Sequence, residues 1–371
     1  MSDNKSRYIL TVVFFLILVL PYPLWSVLGK TLDSELHENR ELAEKPVFSV
    51  ENIETLPRAY DDYINDHLPF RSVMLRSYST LEYRLFRDSV SYQVAFGKDG
   101  WLFHRDRVDG DPIAIYRGLN MPTEEWLENT AKELVAARDK LAESGIELVL
   151  FLPPMKERVY AEYMPDYFGP PAEEYALLRT VEYLHDHTDL RVVYPYDEMM
   201  EAKESFQNGE LLFYKTDSHW NELGAYVGTV PLLKELGITI PPVHSDGLTI
   251  ESFPSEKEDM THLVNLENVI LPGEAYRVTG YNRHDLKTVE GDFEFELRMQ
   301  AQGADPRRVL FYHDSFGESM QDVLSSQFNE TILVHRRVYE YAMIDRYKPD
   351  ILIVEIAERG AVGGLLRFVN D

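Results

Sequence analysis

The sequence predicts an α/β domain in which helices cover both faces of a parallel sheet, preceded by one membrane-spanning segment. Short apolar runs alternate with segments of helical spacing along most of the chain, and an uncharged apolar stretch lies near the N-terminus. Alternating strands and helices build parallel sheets, because each helix returns the chain to the same edge of the sheet. In such sheets, functional sites form at the carboxyl ends of the strands.

The N-terminal stretch, residues 8–28, carries no charge between Arg7 and Lys30. It is close to the ~20 residues that cross a bilayer as a helix. Lys5 and Arg7 precede it, which places the N-terminus in the cytoplasm and the rest of the chain outside. We therefore assign residues 1–29 to a membrane anchor. A cleaved signal peptide is the alternative, although no clear small-x-small motif follows the apolar run.

Net charge and cysteine content narrow the function. The 371 residues include 37 basic and 63 acidic side chains, for a net charge of −26. A nucleic-acid partner is disfavoured, because phosphates bind basic surfaces. A strongly anionic polymer is also disfavoured, unless arginine and lysine line a groove. The chain has no cysteine, which excludes disulfides, thiolate catalysis and cysteine metal sites.

Residues 30–90 are predicted to form a stalk that leads into one or two helices, and residues 91–371 to form the α/β domain. Helical spacing of apolar side chains supports the helices, at Val73, Leu75, Tyr78, Leu81, Leu85 and Phe86. Residues 94–104 predict two strands joined by a turn. Between about 241 and 305, charges and turn residues interrupt the alternation, which predicts an insertion of β-hairpins.

The clearest helix is predicted at residues 123–143, where Thr123 caps an apolar stripe and Gly145 ends it. The alternation then predicts, in order, a strand at 146–154, a helix at about 172–187, a strand at 191–196, a further helix, a helix at 221–236, a strand at 307–315, a helix at 316–328, a strand at 330–336, a helix at 339–347 and a strand at 350–358.

Ser315 lies in a predicted strand-to-helix turn, within "VLFYHDSFGES" (309–319). Such a turn exposes a nucleophilic hydroxyl, and its backbone N–H can face an oxyanion. The helix N-terminus adds a partial positive charge that favours developing negative charge. The alternative is structural, with Ser315 as a helix cap and Asp314 shaping the turn.

Asp217 and His219 stand two residues apart in "FYKTDSHWNELGAY" (213–226). A serine hydroxyl needs a base to take its proton, and the base needs an orienting acid. In an extended segment, residues i and i+2 point to the same side. Asp217 can therefore hold one ring nitrogen of His219 while the other faces Ser315. The alternatives are a polar loop and a pair of metal ligands, for which the sequence shows no third ligand nearby.

Five further side chains are candidates for substrate binding or support, and most have a structural alternative. Lys156 follows a strand end and either faces the site or lies on the surface. Trp101 and Trp220 either stack on sugar rings or belong to the core. Arg359, after the last strand, either meets an anionic group or closes a salt bridge. Tyr214 precedes the acid in the histidine motif.

The two stretches around His219 and Ser315 together resemble the alginate O-acetyltransferase (AlgJ/AlgX-like) branch of the SGNH hydrolase superfamily. Further motifs match in order and extend the resemblance over nearly all of the chain after the membrane segment: "ENREL" (38–42), "INDHLPFR" (64–71), "FGKDGWLF" (96–103), "LPPMKERVYAEYMP" (152–165), "EDM" (258–260) and "DILIVEIAER" (350–359). The resemblance implies an SGNH hydrolase-like three-layer sandwich with a parallel central sheet. It also implies a permuted triad order, in which the acid and histidine precede the serine.

The resemblance assigns roles by motif position: Ser315 as the nucleophile, His219 as the base and Asp217 as its partner. Members of this family receive acetyl groups relayed across the membrane by a multi-pass membrane-bound O-acyltransferase, and they place them on sugar hydroxyls. No cofactor or metal is expected. His313 departs from the general SGNH pattern, which has glycine before the Asp-Ser pair.

Three functions are therefore considered, in this order. The first is an extracytoplasmic polysaccharide O-acetyltransferase that works through an acetyl-serine. The second is a carbohydrate acetyl esterase, which would use the same triad and differ only in its acceptor. The third is a non-catalytic polysaccharide-binding assembly protein, which would not need Ser315 or His219.

Overall fold

A computed structural model describes residues 2–32, 41–50, 52–86, 91–281 and 283–370. The chain divides into two compact units, one comprising residues up to 91 together with 261–270, and the other comprising 92–260 and 271–371. Parts of the predicted stalk, at 33–40, 51 and 87–90, lie outside the described residues, as does most of the "ENREL" motif. The predicted domain boundaries stay predictions.

The helices are α1 Ser2–Val19, α2 Pro21–Leu32, α3 Leu56–Asp66, α4 Arg71–Phe86, α5 Pro112–Tyr116, α6 Glu124–Ala142, α7 Lys156–Val159, α8 Ala176–His187, α9 Tyr196–Ser205, α10 Glu222–Glu235, α11 Asp259–Leu263, α12 Gln321–Ser325, α13 Ala342–Tyr347, α14 Glu358–Gly364 and α15 Arg367–Asn370. The strands are β1 Val94–Phe96, β2 Leu102–His104, β3 Glu147–Phe151, β4 Arg191–Val193, β5 Thr249–Pro254, β6 Glu274–Thr279, β7 Asp285–Gly291, β8 Glu296–Gln302, β9 Asp305–His313, β10 Phe328–His335 and β11 Ile351–Glu355.

The first unit begins with the predicted apolar segment. Arg7–Gly29 is long and apolar enough to cross a membrane, by length and composition. The regular helix is interrupted at Leu20, directly before Pro21, whose ring nitrogen has no N–H to donate. The helical spacing seen in the sequence further along this unit falls within α4.

The main sheet of the second unit runs in the order β4-β3-β11-β9-β10-β8-β7. Pairing is parallel from β4 to β10, as predicted, whereas β8 and β7 pair antiparallel. The predicted β-hairpin stretch thus contributes two strands that extend the sheet beyond β10, while β5 and β6 form a separate pair. The periodicity of the sequence did not predict this extension, because which strands pair with each other is decided by the tertiary structure.

Apolar side chains cover both faces of this sheet. On β11, Ile351 and Ile353 belong to one buried cluster, while Leu352 and Val354 belong to the other. Burial on both faces explains why the strands are continuous apolar runs rather than alternating ones. The predicted α/β class with a parallel central sheet is confirmed.

The predicted helices at 123–143 and 221–236 are confirmed as α6 and α10. Thr123 caps α6 by accepting a hydrogen bond from the Trp126 backbone N–H at 3.2 Å. The helix predicted at 316–328 is shorter than expected. Residues 315–320 form a 3₁₀ turn, and α12 follows it, because hydrogen bonds to Asp314 tighten the start of the segment.

A buried ion pair ties the turn after β3 to the segment after β11. The Arg158 guanidinium lies 3.3 Å from the Glu358 carboxylate, and both side chains are almost fully buried. The second Glu358 oxygen accepts the Met155 backbone N–H at 2.9 Å. Burial raises the pKa of Glu358, and the Arg158 charge opposes that shift. Because breaking a buried pair leaves one charge without its partner, this contact fixes two loops at the carboxyl edge of the sheet.

We predict that Arg158→Met destabilises the protein by about 3–5 kcal/mol, since it leaves Glu358 buried without its ion partner. The control is Lys132→Met, which removes one side of the exposed Lys132–Glu128 pair on α6. Thermal unfolding of the full chain in detergent, followed by circular dichroism, should show a large fall in the midpoint for the first variant and little change for the control. Equal midpoints for the two variants would contradict the prediction.

Candidate active site

The fold brings the predicted acid, histidine and serine into one hydrogen-bonded chain. The Ser315 hydroxyl lies 2.8 Å from His219 Nε2, and His219 Nδ1 lies 2.7 Å from Asp217 Oδ1. Ser315 and His219 are 96 residues apart in sequence. These are the distances expected for a nucleophile, its base and the acid that orients the base.

The Asp217–His219 loop is held at both ends. Phe213 and Trp220 close it as an isolated antiparallel bridge, and the Asn221 side chain caps α10 by accepting the Gly224 N–H at 3.0 Å. Within the loop, Asp217 Oδ1 also accepts the His219 backbone N–H at 3.0 Å. The carboxylate therefore fixes both the ring and the backbone of the histidine.

The serine sits where β9 ends. Asp314 Oδ1 accepts the Phe316 N–H at 2.9 Å, and Oδ2 accepts the Ala357 N–H at 3.0 Å. Asp314 thus shapes the turn and ties it to the residues that follow β11. The backbone N–H of Ser315 has no acceptor among the described residues, so it is available to an oxyanion.

His313 and Gly317 pack tightly against each other at this turn. A Cβ on Gly317 would lie 2.7 Å from His313 Cβ, so a larger residue at 317 would collide with the histidine that replaces the usual glycine. The His313 ring is fully buried and lies 2.8 Å from the Asp314 carbonyl oxygen through Nδ1. Burial lowers the pKa of His313 to about 4, which leaves it neutral and structural at neutral pH.

The electrostatics favour an ionised acid beside a basic histidine. Burial acts to raise the pKa of Asp217, but the hydrogen bond and charge of His219 outweigh it and hold that pKa well below its usual range. Burial likewise acts to lower the pKa of His219, and the Asp217 carboxylate reverses this and raises it. With Asp217 ionised, Nδ1–H donates to the carboxylate, and Nε2 is left to accept the Ser315 proton.

A second carboxylate, Asp259, lies behind the histidine. It accepts the Ser218 N–H at 2.9 Å and the Ser218 hydroxyl at 2.5 Å, and its own N–H donates to Asp217 Oδ2 at 3.2 Å. Its Oδ2 is 3.9 Å from His219 Nδ1. Burial and the Asp217 charge raise the pKa of Asp259. Sequence reasoning missed this role, although Asp259 belongs to the "EDM" motif that carries part of the resemblance.

The fold thereby supplies the third possible metal ligand that the sequence did not show. Among the described residues, Asp217, His219 and Asp259 form the one group of acidic and histidine side chains with ligand atoms within 4.8 Å of one another. The short Asp217–His219 contact also suits a hydrogen-bonded acid–base pair without a metal. A chelator separates these two uses.

Lys156 is neither on the surface nor open to the substrate. It is fully buried, and its ammonium donates to the backbone oxygens of Asp217 at 2.6 Å, Tyr214 at 3.2 Å and Lys215 at 3.3 Å. Burial lowers the pKa of Lys156 to about 8, and nearby carboxylates, that of Glu157 first, oppose that shift. The lysine therefore holds the backbone of the loop that carries the acid.

The other candidates divide between core and site. Trp101 and Trp220 are fully buried, so the expectation that they stack on sugars is wrong and the core alternative is correct. Trp220 instead donates its indole N–H to the Phe316 carbonyl at 2.9 Å, which supports the serine turn. Arg359 closes a salt bridge to Asp109 at 3.4 Å, the alternative that the sequence analysis also allowed.

Tyr214 lines a cavity of about 630 Å³ that lies beside the serine turn. The turn itself contributes Glu318 and Ser319 to the wall, and Lys257 faces them, paired with Glu318 at 3.0 Å. The Tyr214 N–H donates to the His219 carbonyl at 3.2 Å, so the cavity and the triad share a wall. A cavity of this size accommodates one or two sugar rings.

The chain is similar to known acetyltransferases in sequence. Residues 94–262 match the family described as SGNH hydrolase-like domain, acetyltransferase AlgX. A probable alginate O-acetylase AlgJ from Pseudomonas syringae pv. tomato is 26% identical over 232 residues, which cover 62% of this chain and 52% of that protein. Its counterpart from Pseudomonas aeruginosa is 25% identical over 210 residues, covering 56% and 48%. The chain spans about half the length of the curated relatives it matches.

Solved structures share the fold. A DHHW family protein from Eubacterium siraeum superposes with a TM-score of 0.52 at 14% identity, over 68% of this chain and 91% of that chain. Bacillus cereus PatB1 superposes with a TM-score of 0.51 at 16% identity, over 71% and 95%. They show the shared fold, and the sequence matches bear out the predicted resemblance to the SGNH hydrolase-like alginate O-acetyltransferases.

We predict that kcat/KM for an acetyl ester rises with pH through the pKa of His219, because the base must be unprotonated. The midpoint of this rising limb of the pH profile should lie above 6.5, the usual pKa of histidine. Asp217→Asn removes the charge that raises this pKa, so the limb should move to lower pH and the plateau should fall by about 10⁴. Asp259→Asn leaves the 2.7 Å hydrogen bond between Asp217 and His219 intact and should lower the plateau of activity far less. A larger loss in Asp259→Asn than in Asp217→Asn would identify Asp259 as the orienting acid instead.

We predict that Lys156→Met lowers kcat by about 10²-fold through misplacement of the acid loop. Removing a cation near Asp217 and Asp259 should also raise the pKa of His219 and move the acid limb to higher pH. The control is Lys203→Met, whose ammonium also donates to a backbone oxygen, that of Val159 at 2.6 Å, away from the triad. An unchanged pH profile in Lys156→Met, with activity equal to that of the control, would contradict the positioning role.

Proposed function

We propose that this chain, a relative of the AlgJ/AlgX-type acetyltransferases with an SGNH hydrolase-like domain, is an extracytoplasmic polysaccharide O-acetyltransferase. The observation that carries the proposal is the continuous hydrogen-bonded series from the Ser315 hydroxyl through His219 to Asp217. The names of its curated relatives, probable alginate O-acetylases, support the same reaction class.

In the first half-reaction, Ser315 Oγ attacks the carbonyl carbon of an acetyl donor while His219 Nε2 takes the hydroxyl proton. The tetrahedral oxyanion forms next to the Ser315 backbone N–H, which stabilises its charge. The intermediate then collapses, the bond to the leaving group breaks, and His219 returns the proton to that leaving group. An acetyl ester of Ser315 remains.

In the second half-reaction, a sugar hydroxyl attacks the acetyl-serine carbonyl. His219 removes the proton of that hydroxyl, the tetrahedral intermediate collapses, and the proton passes to Ser315 Oγ. Asp217 stays ionised throughout and stabilises the imidazolium that forms twice in the cycle. The sugar ester leaves, and the free serine is regenerated.

The cavity beside the triad is the proposed acceptor site. Charged side chains such as Lys257 and Glu318 lie around the cavity for contacts with sugar hydroxyls, and the buried Tyr214 contributes to its wall. A polysaccharide could cross this cavity with one residue presented to Ser315.

The apolar N-terminal segment suits a single-pass anchor with a cytoplasmic N-terminus, which would hold the catalytic unit on the outer side of the membrane. The proposed donor is a multi-pass membrane-bound O-acyltransferase that delivers acetyl groups across the bilayer. A tether to the same membrane would raise the local concentration of this partner.

Transfer has to outcompete hydrolysis, since the His219 side chain is 24% exposed and water can reach the site. A carbohydrate acetyl esterase would result if water were the better acceptor. A non-catalytic polysaccharide-binding protein would result if no acetyl-serine formed. A single experiment distinguishes these alternatives.

We expect the full chain, incubated in detergent with p-nitrophenyl acetate, to gain one acetyl group by intact mass, and to lose this gain in Ser315→Ala. Ser245→Ala removes an exposed hydroxyl that donates to the Pro242 carbonyl, and it should acetylate like the parent. Acetyl recovered on added oligosaccharides would establish transfer. Release to water with every acceptor would favour the esterase, and no acetylation of the parent would sink the triad mechanism.

A parallel reaction with a chelator tests the metal alternative at Asp217, His219 and Asp259. The triad mechanism predicts full activity after chelation. Loss of activity that returns with added divalent metal would assign these residues to a metal centre instead.

A further inference from the structure

A second cavity, of about 600 Å³, lies in the same unit as the triad, and nothing in the proposed reaction uses it. Its wall combines two kinds of side chain. Three arginines and two aspartates contribute to it, and so do five large apolar residues, of which Tyr92, Val108 and Leu119 are exposed. Such a mixture is unusual on a chain whose net charge is −26.

The two aspartates in the wall of this cavity use their carboxylates for backbone hydrogen bonds. The Asp106 carboxylate accepts the Val108 N–H at 2.9 Å, and the Asp111 carboxylate caps α5 by accepting the Ala114 N–H at 3.1 Å. Arg107 and Arg117 form no ion pair with any residue that the structure describes. Their charges are therefore available to an external anion.

The apolar members are exposed to an extent that folding does not explain. Val108 is 92% exposed, Tyr92 68% and Leu119 47%. Among the described residues from 92 onward, large apolar side chains with such exposure number seven, and three of them line this one cavity. Apolar side chains gathered at one exposed place, with arginines between them, mark a surface that is covered by something amphipathic.

Position in the chain favours one occupant. Tyr92 is the first residue of this unit, directly after the segment that leads from the apolar N-terminal helix. A unit tethered to a bilayer meets lipid headgroups at high effective concentration, so even a weak contact is populated. Each arginine near an anionic leaflet contributes about 1 kcal/mol, and the apolar side chains can enter the headgroup boundary.

We infer that Arg107 and Arg117, with Tyr92, Val108 and Leu119, form a docking surface for the anionic headgroups of the membrane to which the chain is tethered. The phosphate groups pair with the guanidinium groups, and the exposed apolar side chains enter the interface. The rest of the acidic chain is repelled by the same leaflet, so this contact fixes which side of the unit faces the lipid.

The docking surface adjoins the site through one loop. Asp109 follows Val108, and its carboxylate lies 3.2 Å from His104 Nε2 and 3.4 Å from the Arg359 guanidinium. A Cβ on Gly110 would lie 2.3 Å from the Arg359 carbonyl oxygen, so the loop packs tightly there. Arg359 is in turn close enough for its charge to lower the pKa of His219. Docking would therefore order a loop that contacts the surroundings of the base.

The absence of cysteine from the sequence makes a site-specific test direct. Val108→Cys and, as a control, Val289→Cys on β7, which is 46% exposed, are each labelled with an environment-sensitive fluorophore in the full chain. The labelled proteins are placed in nanodiscs of phosphatidylcholine alone or mixed with phosphatidylglycerol. We expect a blue shift, and quenching by spin-labelled lipid, at position 108 in the anionic nanodiscs and not at position 289.

Arg107→Gln combined with Arg117→Gln should weaken this docking about thirtyfold, since two charges are lost. The control changes two half-buried arginines that already have ion partners, Arg138→Gln and Arg179→Gln, and should leave docking unchanged. Acetyl-ester hydrolysis by detergent-solubilised protein should be equal in the parent and in both double variants, which separates docking from catalysis and from misfolding.

Any of the following results would overturn the inference. One is no lipid-dependent signal at position 108. Another is an equal signal at positions 108 and 289, or docking unaffected by the arginine changes. The third is a shift at position 108 in neutral nanodiscs on addition of a soluble anionic oligosaccharide with no response to anionic lipid, which would assign the cavity to a saccharide.

Discussion

Everything at this site depends on keeping the Asp217 carboxylate ionised while it is 3% exposed. A buried carboxylate without partners would take up a proton and could not orient the histidine. Here the charge is met by the His219 ring, by two backbone N–H groups and by the nearby Lys156 ammonium. The same contacts set the position of the loop, so the ionisation of Asp217 and the geometry of the triad depend on the same interactions.

The sheet places polar groups from neighbouring strands at one edge, where they surround the triad. The segment after β3 brings Lys156, the end of β9 brings Asp314 and Ser315, and β11 ends in Glu355, whose carboxyl accepts the Asp314 N–H at 2.8 Å. Burial, with the Asp314 charge, raises the pKa of Glu355 well above its usual range, so it supports the turn without adding a charge. Apolar packing on both faces of the sheet keeps these strand ends in register.

Membrane attachment and catalysis meet in the proposed role of the chain. An acetyl group that arrives through a membrane has to be captured before water hydrolyses it, and a tethered nucleophile shortens that path. The proposed headgroup contact adds orientation to tethering, because a tether restrains the distance of the unit from the membrane and a surface contact also restrains its direction.

The sequence by itself determined the α/β class, the main strands and helices, the apolar segment and the three residues that meet at the site. It could do so because periodicity, caps and a two-residue spacing are local properties that need no knowledge of packing. The tertiary structure decided what Lys156, Trp101, Trp220 and Asp259 do. Asp259 lies 42 residues from Asp217, and no spacing rule links them, whereas a buried lysine and a surface lysine look alike in a sequence. Whether a polar or aromatic side chain becomes support, core or site is set by which distant backbone groups surround it, and folding alone fixes that.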